Sequence, residues 1–326
     1  MKNSKTTLTA LAITAALALS ACGGGGGSSS DASAASSPPS QTATSANVST
    51  PQYAAASAQL AVFNLLNQQR QQCGFPALTE NTTLDQAAQA HAAYMGQNGA
   101  QITDTEVSGN PGFTGVTYAD RAVHFGYPQS TYIGGVSGGY YTNATLTATA
   151  YGQQLAYGWL SGVYHIAVGA WPITTIGIGW NQTTFNGFPV IQSTLTIANL
   201  QAMTTTAPLT FPCQGTTGVA YSAGGETPTP PNTSGNWGTP VAVAGNPTDT
   251  IRLLSGTMTD TSSNVITLKL LDSANDPNKL LPTFEGVAYP ATPLSPNATY
   301  SVSITGTVNG IPFSRSFTFT TGNIVG

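Results

Sequence analysis

Ser137 stands in Gly135-Val136-Ser137-Gly138-Gly139, a literal G-x-S-x-G. A serine in that frame can be the exposed nucleophile of an α/β-hydrolase, but the chemistry also needs a carboxylate and then a histidine later in the chain. No Asp or Glu lies between Ser137 and His165, and no histidine follows His165. The frame therefore lacks its partners, and its flanking glycines make a chance match easy. Ser161 and His165 are four residues apart and could share one helix face, yet no carboxylate is placed to orient the histidine. A helix end packed on a cleft wall is the competing reading of that pair. The chain has only three histidines, His91, His124 and His165, whereas zinc asks for three or four N, S or O ligands in close array.

The elements that must position these groups are legible in spacing. Leu60, Phe63, Leu66 and the run Asn67 to Cys73 follow a helical period that Gly74 and Pro76 bring to an end. A second helix starts quickly, with Thr83 as cap, Gln86 three residues on, and Leu84, Ala87, Ala88, His91, Tyr94 and Met95 as its apolar stripe. His91 thus reads as a core or inter-helix residue, and His124, two before Gly126, as a surface or packing residue. Gly96 and Gly99 break the helix ahead of the loop TEVSGNPGFTG, Asp120 to Phe125 predict a short helical turn, and Ala148 to Leu160 a further helix. Ile173 to Trp180 and Val190 to Ile197 alternate like strands. Helices early and antiparallel strands late predict an α+β domain.

The N-terminus carries an address. Lys2 and Lys5 precede an uncharged apolar run from Leu8 to Leu19, the layout of a secretory signal and too short to span a bilayer comfortably. Leu19-Ser20-Ala21-Cys22 resembles the bacterial lipobox, which implies diacylation of Cys22 as the first mature residue; the alternative is an ordinary signal cut near Ala21. Residues 23–55 are Gly, Ser, Ala, Thr and Pro with few large apolar side chains, a flexible tether. Gly23 rather than Asp after the cysteine implies the outer membrane of a Gram-negative-type bacterium. With Cys22 lipidated, Cys73 and Cys213 remain as an even pair in an oxidising compartment, and a disulfide between them is expected in preference to two buried thiols. Such a bond near both ends of the first domain could contribute up to about 5 kcal/mol.

Roughly 270 residues remain, enough for two domains of ordinary size. Charged residues make up 6% of the chain, and without Lys2 and Lys5 six basic residues face twelve acidic ones. That excludes a nucleic-acid footprint and leaves little for electrostatic steering.

Three stretches, LLNQQRQQCGFPALTENTTLDQAAQAHAAYM, NPGFTGVTYADRAVHFGY and WLSGVYHIAVGAWPITTIGIG, together resemble the CAP superfamily (cysteine-rich secretory, antigen 5 and pathogenesis-related 1) in its bacterial SCP-like branch. Asn67, Arg70, Asp120-Arg121, Gly126-Tyr127, Trp159, Ser161, His165, Gly177 and Gly179 fall in family order over about residues 60 to 200. The resemblance implies an α-β-α sandwich with a central cleft, lined in the family by two His and two Glu that bind a divalent metal in some members. His165 matches the second histidine. The first is Asp104 here, with Glu106 two residues on, and the usual Gly-Glu-Asn is Gly134-Gly135-Val136. Between Tyr53 and Gly215 the only glutamates are Glu80 and Glu106, so a complete tetrad would need both together with a second histidine, His91 or His124. The resemblance makes His165, Glu106 and Asp104 the candidate site residues, and His165 with Glu106 the candidate ligands of a zinc ion; no cofactor is otherwise indicated. Loop-ordering hydrogen bonds are the plainer role for Asp104 and Glu106.

GGETPTPPNTSGN reads as a linker. Beyond it Ile266, Leu268 and Leu270 alternate, as do Tyr300, Val302 and Ile304, then Phe313, Phe317 and Phe319, with Asn309-Gly310 a strong hairpin turn. These predict a β-sandwich, and the last segment resembles the end of bacterial Ig-like repeats. The expected organisation is a signal at 1–22, a tether at 23–55, a CAP-like domain at 56–215, a linker at 216–235 and an Ig-like domain at 236–326. The function expected first is an envelope-anchored binding protein, held to the membrane by lipid on Cys22 and contacting an apolar ligand, glycan or partner protein, with Trp159, Tyr164, Trp171 and Trp180 near the cleft. The alternatives are a metal-dependent or acid-base hydrolase using His165 and Glu106, and a lipidated spacer presenting the sandwich.

Overall fold

A computed structural model describes residues 46–204, 208–233 and 235–326, together with the backbone of residues 8–9. Cys22, the signal and most of the tether lie outside the described residues. From Asn47 the chain is already docked: Val48 N donates to Glu80 O, Gln52 N to the Glu80 carboxylate and the Tyr53 hydroxyl to Asp85 Oδ1. The expected tether therefore ends about ten residues early, and Glu80 is an anchor for this strap rather than a cleft residue.

The first half holds strand β1 (Leu8–Thr9), helix α1 (Ala58–Gln72), β2 (Thr79–Glu80), α2 (Thr82–Gln97), α3 (Tyr118–His124), β3 (Ile133–Gly138), α4 (Ala148–Ser161), the short α5 (Ala167–Ala170), and the long strands β4 (Ile173–Phe185) and β5 (Phe188–Leu200). Ser57 and Thr147 cap α1 and α4 through their hydroxyls. The cap of α2 is Asn81, whose side chain accepts from Thr83 N and Leu84 N, and not Thr83 as the spacing suggests. Thr117 and Asp120 form a reciprocal capping box on α3, which starts two residues before the expected turn. Asn186 and Gly187, both at positive φ, close the β4–β5 hairpin.

Alternation along β4 sorts the layers. Ile176 and Ile178 join the core that Val62, Leu66, Leu155 and Trp159 of α1 and α4 enter, while Gly177 and Gly179 turn to α2. A Cβ on Gly177 would sit 2.1 Å from the Leu84 carbonyl carbon, and one on Gly179 2.0 Å from Ala88 O. Helix and sheet touch backbone to backbone there, which only glycine allows. The sheet runs in the order β2-β4-β5-β3-β1-β8 between these helical layers, the expected α-β-α arrangement.

The second half is a sandwich of two sheets. After β6 (Leu209–Phe211), β7 (Thr216–Val219) and β8 (Glu226–Thr227) come β9 (Val241–Ala244), β10 (Ile251–Asp260), β11 (Val265–Thr267), β12 (Lys269–Asp272), β13 (Glu285–Tyr289), β14 (Thr299–Val308) and β15 (Ile311–Thr321). One sheet is β11-β10-β14-β15-β7 and the other β12-β13-β9-β6. The Asn309-Gly310 hairpin forms as expected, with both residues at positive φ. The boundary differs from expectation: β6 and β7, placed in the first domain and the linker by sequence, pair with β9 and β15. The Ile266-Leu268-Leu270 run is likewise two strands, because the chain changes sheets at the buried Leu268.

The two halves share one core. Cys73 and Cys213 form the expected disulfide across 140 residues, Trp171 packs edge-on to Phe284 with ring centroids 5.3 Å apart, and Tyr164 donates to Asp276 Oδ1 at 2.9 Å. Trp171 Nε1 donates to Glu285 Oε2 at 2.7 Å. Burial raises the Glu285 carboxyl to about 8, opposed by that bond. The folded state then holds a proton that the unfolded chain releases near its ordinary pKa, so this group's stabilisation is complete at acid pH and falls as pH rises from about 4.5 to about 8. Asp104 and Asp85, both raised to about 7 mainly by burial, push the same way. Glu285→Gln is expected to raise stability by about 1–3 kcal/mol at pH 8 and by almost nothing at pH 4. Thermal melts of both proteins across that range check this; equal gains at both pH values would contradict it.

Candidate functional site

The loop after α2 is tied down by buried polar groups. His91, on the inner face of α2, contacts Glu106 Oε1 through Nδ1 at 2.9 Å and Thr103 O through Nε2 at 2.8 Å. Glu106 also accepts from Thr114 N at 2.6 Å and Gly115 N at 3.3 Å, and Arg121 Nε stands 3.9 Å from it. Burial works against its charge, but His91, the Thr114 amide and Arg121 outweigh that and lower its pKa. Burial in turn lowers that of His91. The Glu106 carboxylate closes the loop of residues 107–115 at its base, which is the loop-ordering role.

Asp104 lies deeper. Its Oδ1 accepts from the Tyr118 hydroxyl at 2.6 Å and Ser137 N at 3.0 Å, and Tyr118 also meets Ser137 Oγ at 2.7 Å. Its Oδ2 is buried and has no hydrogen-bond partner. Burial raises this carboxyl to about 7, against the lowering effects of Tyr118, the neighbouring His165 and Ser137. His165 stands within electrostatic reach of Asp104.

His165 is held from an unforeseen direction. α4 stops at Ser161, and the turn that follows aims three backbone amides, Val163 N, Tyr164 N and His165 N, at the Glu226 carboxylate at 2.8, 2.9 and 3.0 Å. Glu226 Oε1 also lies 2.6 Å from His165 Nδ1. The partner of His165 is thus Glu226 of β8 and not Glu106. Residues 216–235 read as a linker, yet Glu226 is their only charged residue, and a lone carboxylate in an uncharged stretch was the signal available.

Other expectations are corrected by placement. Ser161 Oγ donates to Tyr157 O and Gly158 O within its own helix, not to His165. Ser137 lies inside β3 rather than on a strand-to-helix turn. His124 is exposed and stacks edge-on with Phe125. Trp159 is core, Tyr164 and Trp171 bond to Asp276 and Glu285 of the sandwich, and the half-buried Trp180 packs against the same core, so all four aromatics serve packing.

The donor set does not fit a divalent metal. Glu106 is spent on His91 and its own loop. A Cβ at Gly135, where the family's glutamate would stand, would come within 2.3 Å of the Tyr118 ring and 2.4 Å of Leu195 O. Tyr118 fills that space. Among the described residues no group of three or more His, Cys, Asp or Glu could hold a metal ion, and none of the described helices is long and apolar enough to cross a membrane. Against known proteins, residues 63–195 match the model of the Cysteine-rich secretory protein family, CAP. No curated protein and no solved structure matches the chain.

Proposed function

Since residues 63–195 form a CAP domain of the cysteine-rich secretory protein family, a family of secreted-type binding and interaction proteins, we propose that the protein is an envelope-anchored binding protein whose cleft takes an organic ligand or partner segment without metal. The observation that carries this reading is the buried, unpartnered Asp104 Oδ2 beside a histidine already fixed by Glu226. An acceptor desolvated without a partner costs about 1–3 kcal/mol, and a bound ligand group can recover it. The hydrolase alternative loses its acid, because Glu106 belongs to the His91 loop.

Metal content tests the reading directly. After dialysis against trace zinc, elemental analysis is expected to find far less than one zinc per chain in both the wild type and His165→Ala. Near-stoichiometric zinc that disappears in the variant would restore the metal-dependent reading.

The anchor is acyl lipid on Cys22, and the expected location is the outer membrane of a Gram-negative-type envelope. Cys22→Ser is expected to move the protein out of the membrane fraction or stall its processing. Unchanged membrane fractionation of that variant would remove the anchoring claim.

A further inference from the structure

Strand β3 pairs on one side with β5 along its whole length. On its other side, among the described residues, it meets only β1, at Thr9↔Ser137, and β1 in turn pairs with β8 at Leu8↔Glu226 and Thr9↔Thr227. The gap between β3 and β8 is therefore one strand wide. Processing ahead of Cys22 would carry residues 8–9 away, and the inference rests on that part of the proposed function. Among the described residues, two strand edges would then face each other across the vacated strand position, and open edges present backbone donors and acceptors to an incoming strand.

The floor and the far end of this gap say what would enter. Asp104 holds Ser137 N of β3 with one oxygen and has the other buried and unpartnered; His165 and Glu226 stand on the β8 side. Such a floor suits a group that carries both donors and acceptors, as a peptide backbone does. Where β3 ends, Gly139 to Tyr141 continue into a groove of about 310 Å³ lined by Gln101, Ile102, Tyr140, Tyr141, Val190 and Ile191 among others, with no charged residue in its wall. A charged side chain would find no counter-ion there; a small or medium uncharged one would find apolar contacts and backbone polar groups.

We infer that the mature protein binds an extended, uncharged peptide segment as an added strand between β3 and β8, with a side chain seated in the groove beyond Gly139. Main-chain bonds to the two edges supply affinity and the groove supplies selectivity.

The probe is a fluorescent synthetic peptide of residues 6–15 of this chain, TTLTALAITA, read by polarisation against the lipidated mature protein in detergent, with its start at Cys22 verified by mass. Saturable binding in the micromolar range is expected. A peptide with Thr9→Pro, which removes one amide donor at the Ser137 register, should bind about tenfold or more weakly. Asp104→Asn, which keeps the Oδ1 contacts and replaces the unpartnered oxygen with a donor, should weaken binding by a similar factor. Absence of saturable binding, or equal binding of the proline peptide by the wild-type protein, overturns the inference whatever the folding of the variant. Membrane fractionation of Cys22→Ser is read separately, so a correctly anchored protein that ignores the peptide sinks only this inference.

Discussion

Replacing Arg70 with methionine is expected to cost the fold at least about 4 kcal/mol, the largest effect of any single substitution considered. Arg70 sits on α1 with no solvent exposure and donates its hydrogen bonds to backbone carbonyls: Nε and Nη2 to Pro76 O, Nη1 to Val168 O, and Nη2 also to Trp171 O and Ile173 O, all at 2.9–3.0 Å. One side chain thus ties the end of α1 to α5 and the start of β4, the turn that presents Trp171 to the sandwich. Burial lowers its pKa to about 9, which leaves it charged at neutral pH. Methionine would fill much of the volume but leave four carbonyls without this donor, each worth about 1–3 kcal/mol when desolvated, with incomplete additivity. Arg70→Lys should fall between, since an ammonium on a flexible stem cannot span a fork of four acceptors. Urea unfolding of the three proteins measures this, and a methionine variant within about 1 kcal/mol of wild type would show that water or repacking satisfies the carbonyls.

Arg70 also marks the limit of what the residues disclosed. Spacing makes α1, α2 and α4 legible because apolar positions recur every three or four residues over three or more turns, and the Asn309-Gly310 turn and the Cys73–Cys213 pair follow from local chemistry and parity. A buried arginine has no such signature. Arginine is usually exposed, and only the order of residues shared with the CAP family drew attention to this one. Strands β6 and β7 are illegible for a related reason: three and four residues are too few for alternation to register, and their partners lie downstream in the sequence. The site fared similarly. The resemblance singles out His165 and Asp104, but Tyr118, which occupies the room of the family's glutamate, and Glu226, which holds His165, are visible only once the chain is folded.

Glu226→Ala is the second large effect expected, at about 3–5 kcal/mol. The carboxylate is buried and accepts three consecutive amides, so its removal takes the acceptor from three donors at once, and it frees the imidazole of its 2.6 Å contact. Glu226→Gln keeps one acceptor oxygen and brings an NH2 against the amides, so it should recover little of the loss. The local consequence separates this from general destabilisation. Amide exchange at residues 163–165, protected by the carboxylate in the wild type, should quicken about a hundredfold more than exchange in β14, far from the turn, and unchanged protection at those three amides would refute the assignment. Because β8 reaches the first half only after the chain has built β6 and β7 into the sandwich, the surroundings of His165 are completed from outside the residues that match the CAP family. A fragment ending at residue 215 would carry His165 without the carboxylate that holds it, so the C-terminal half contributes a residue to the proposed site.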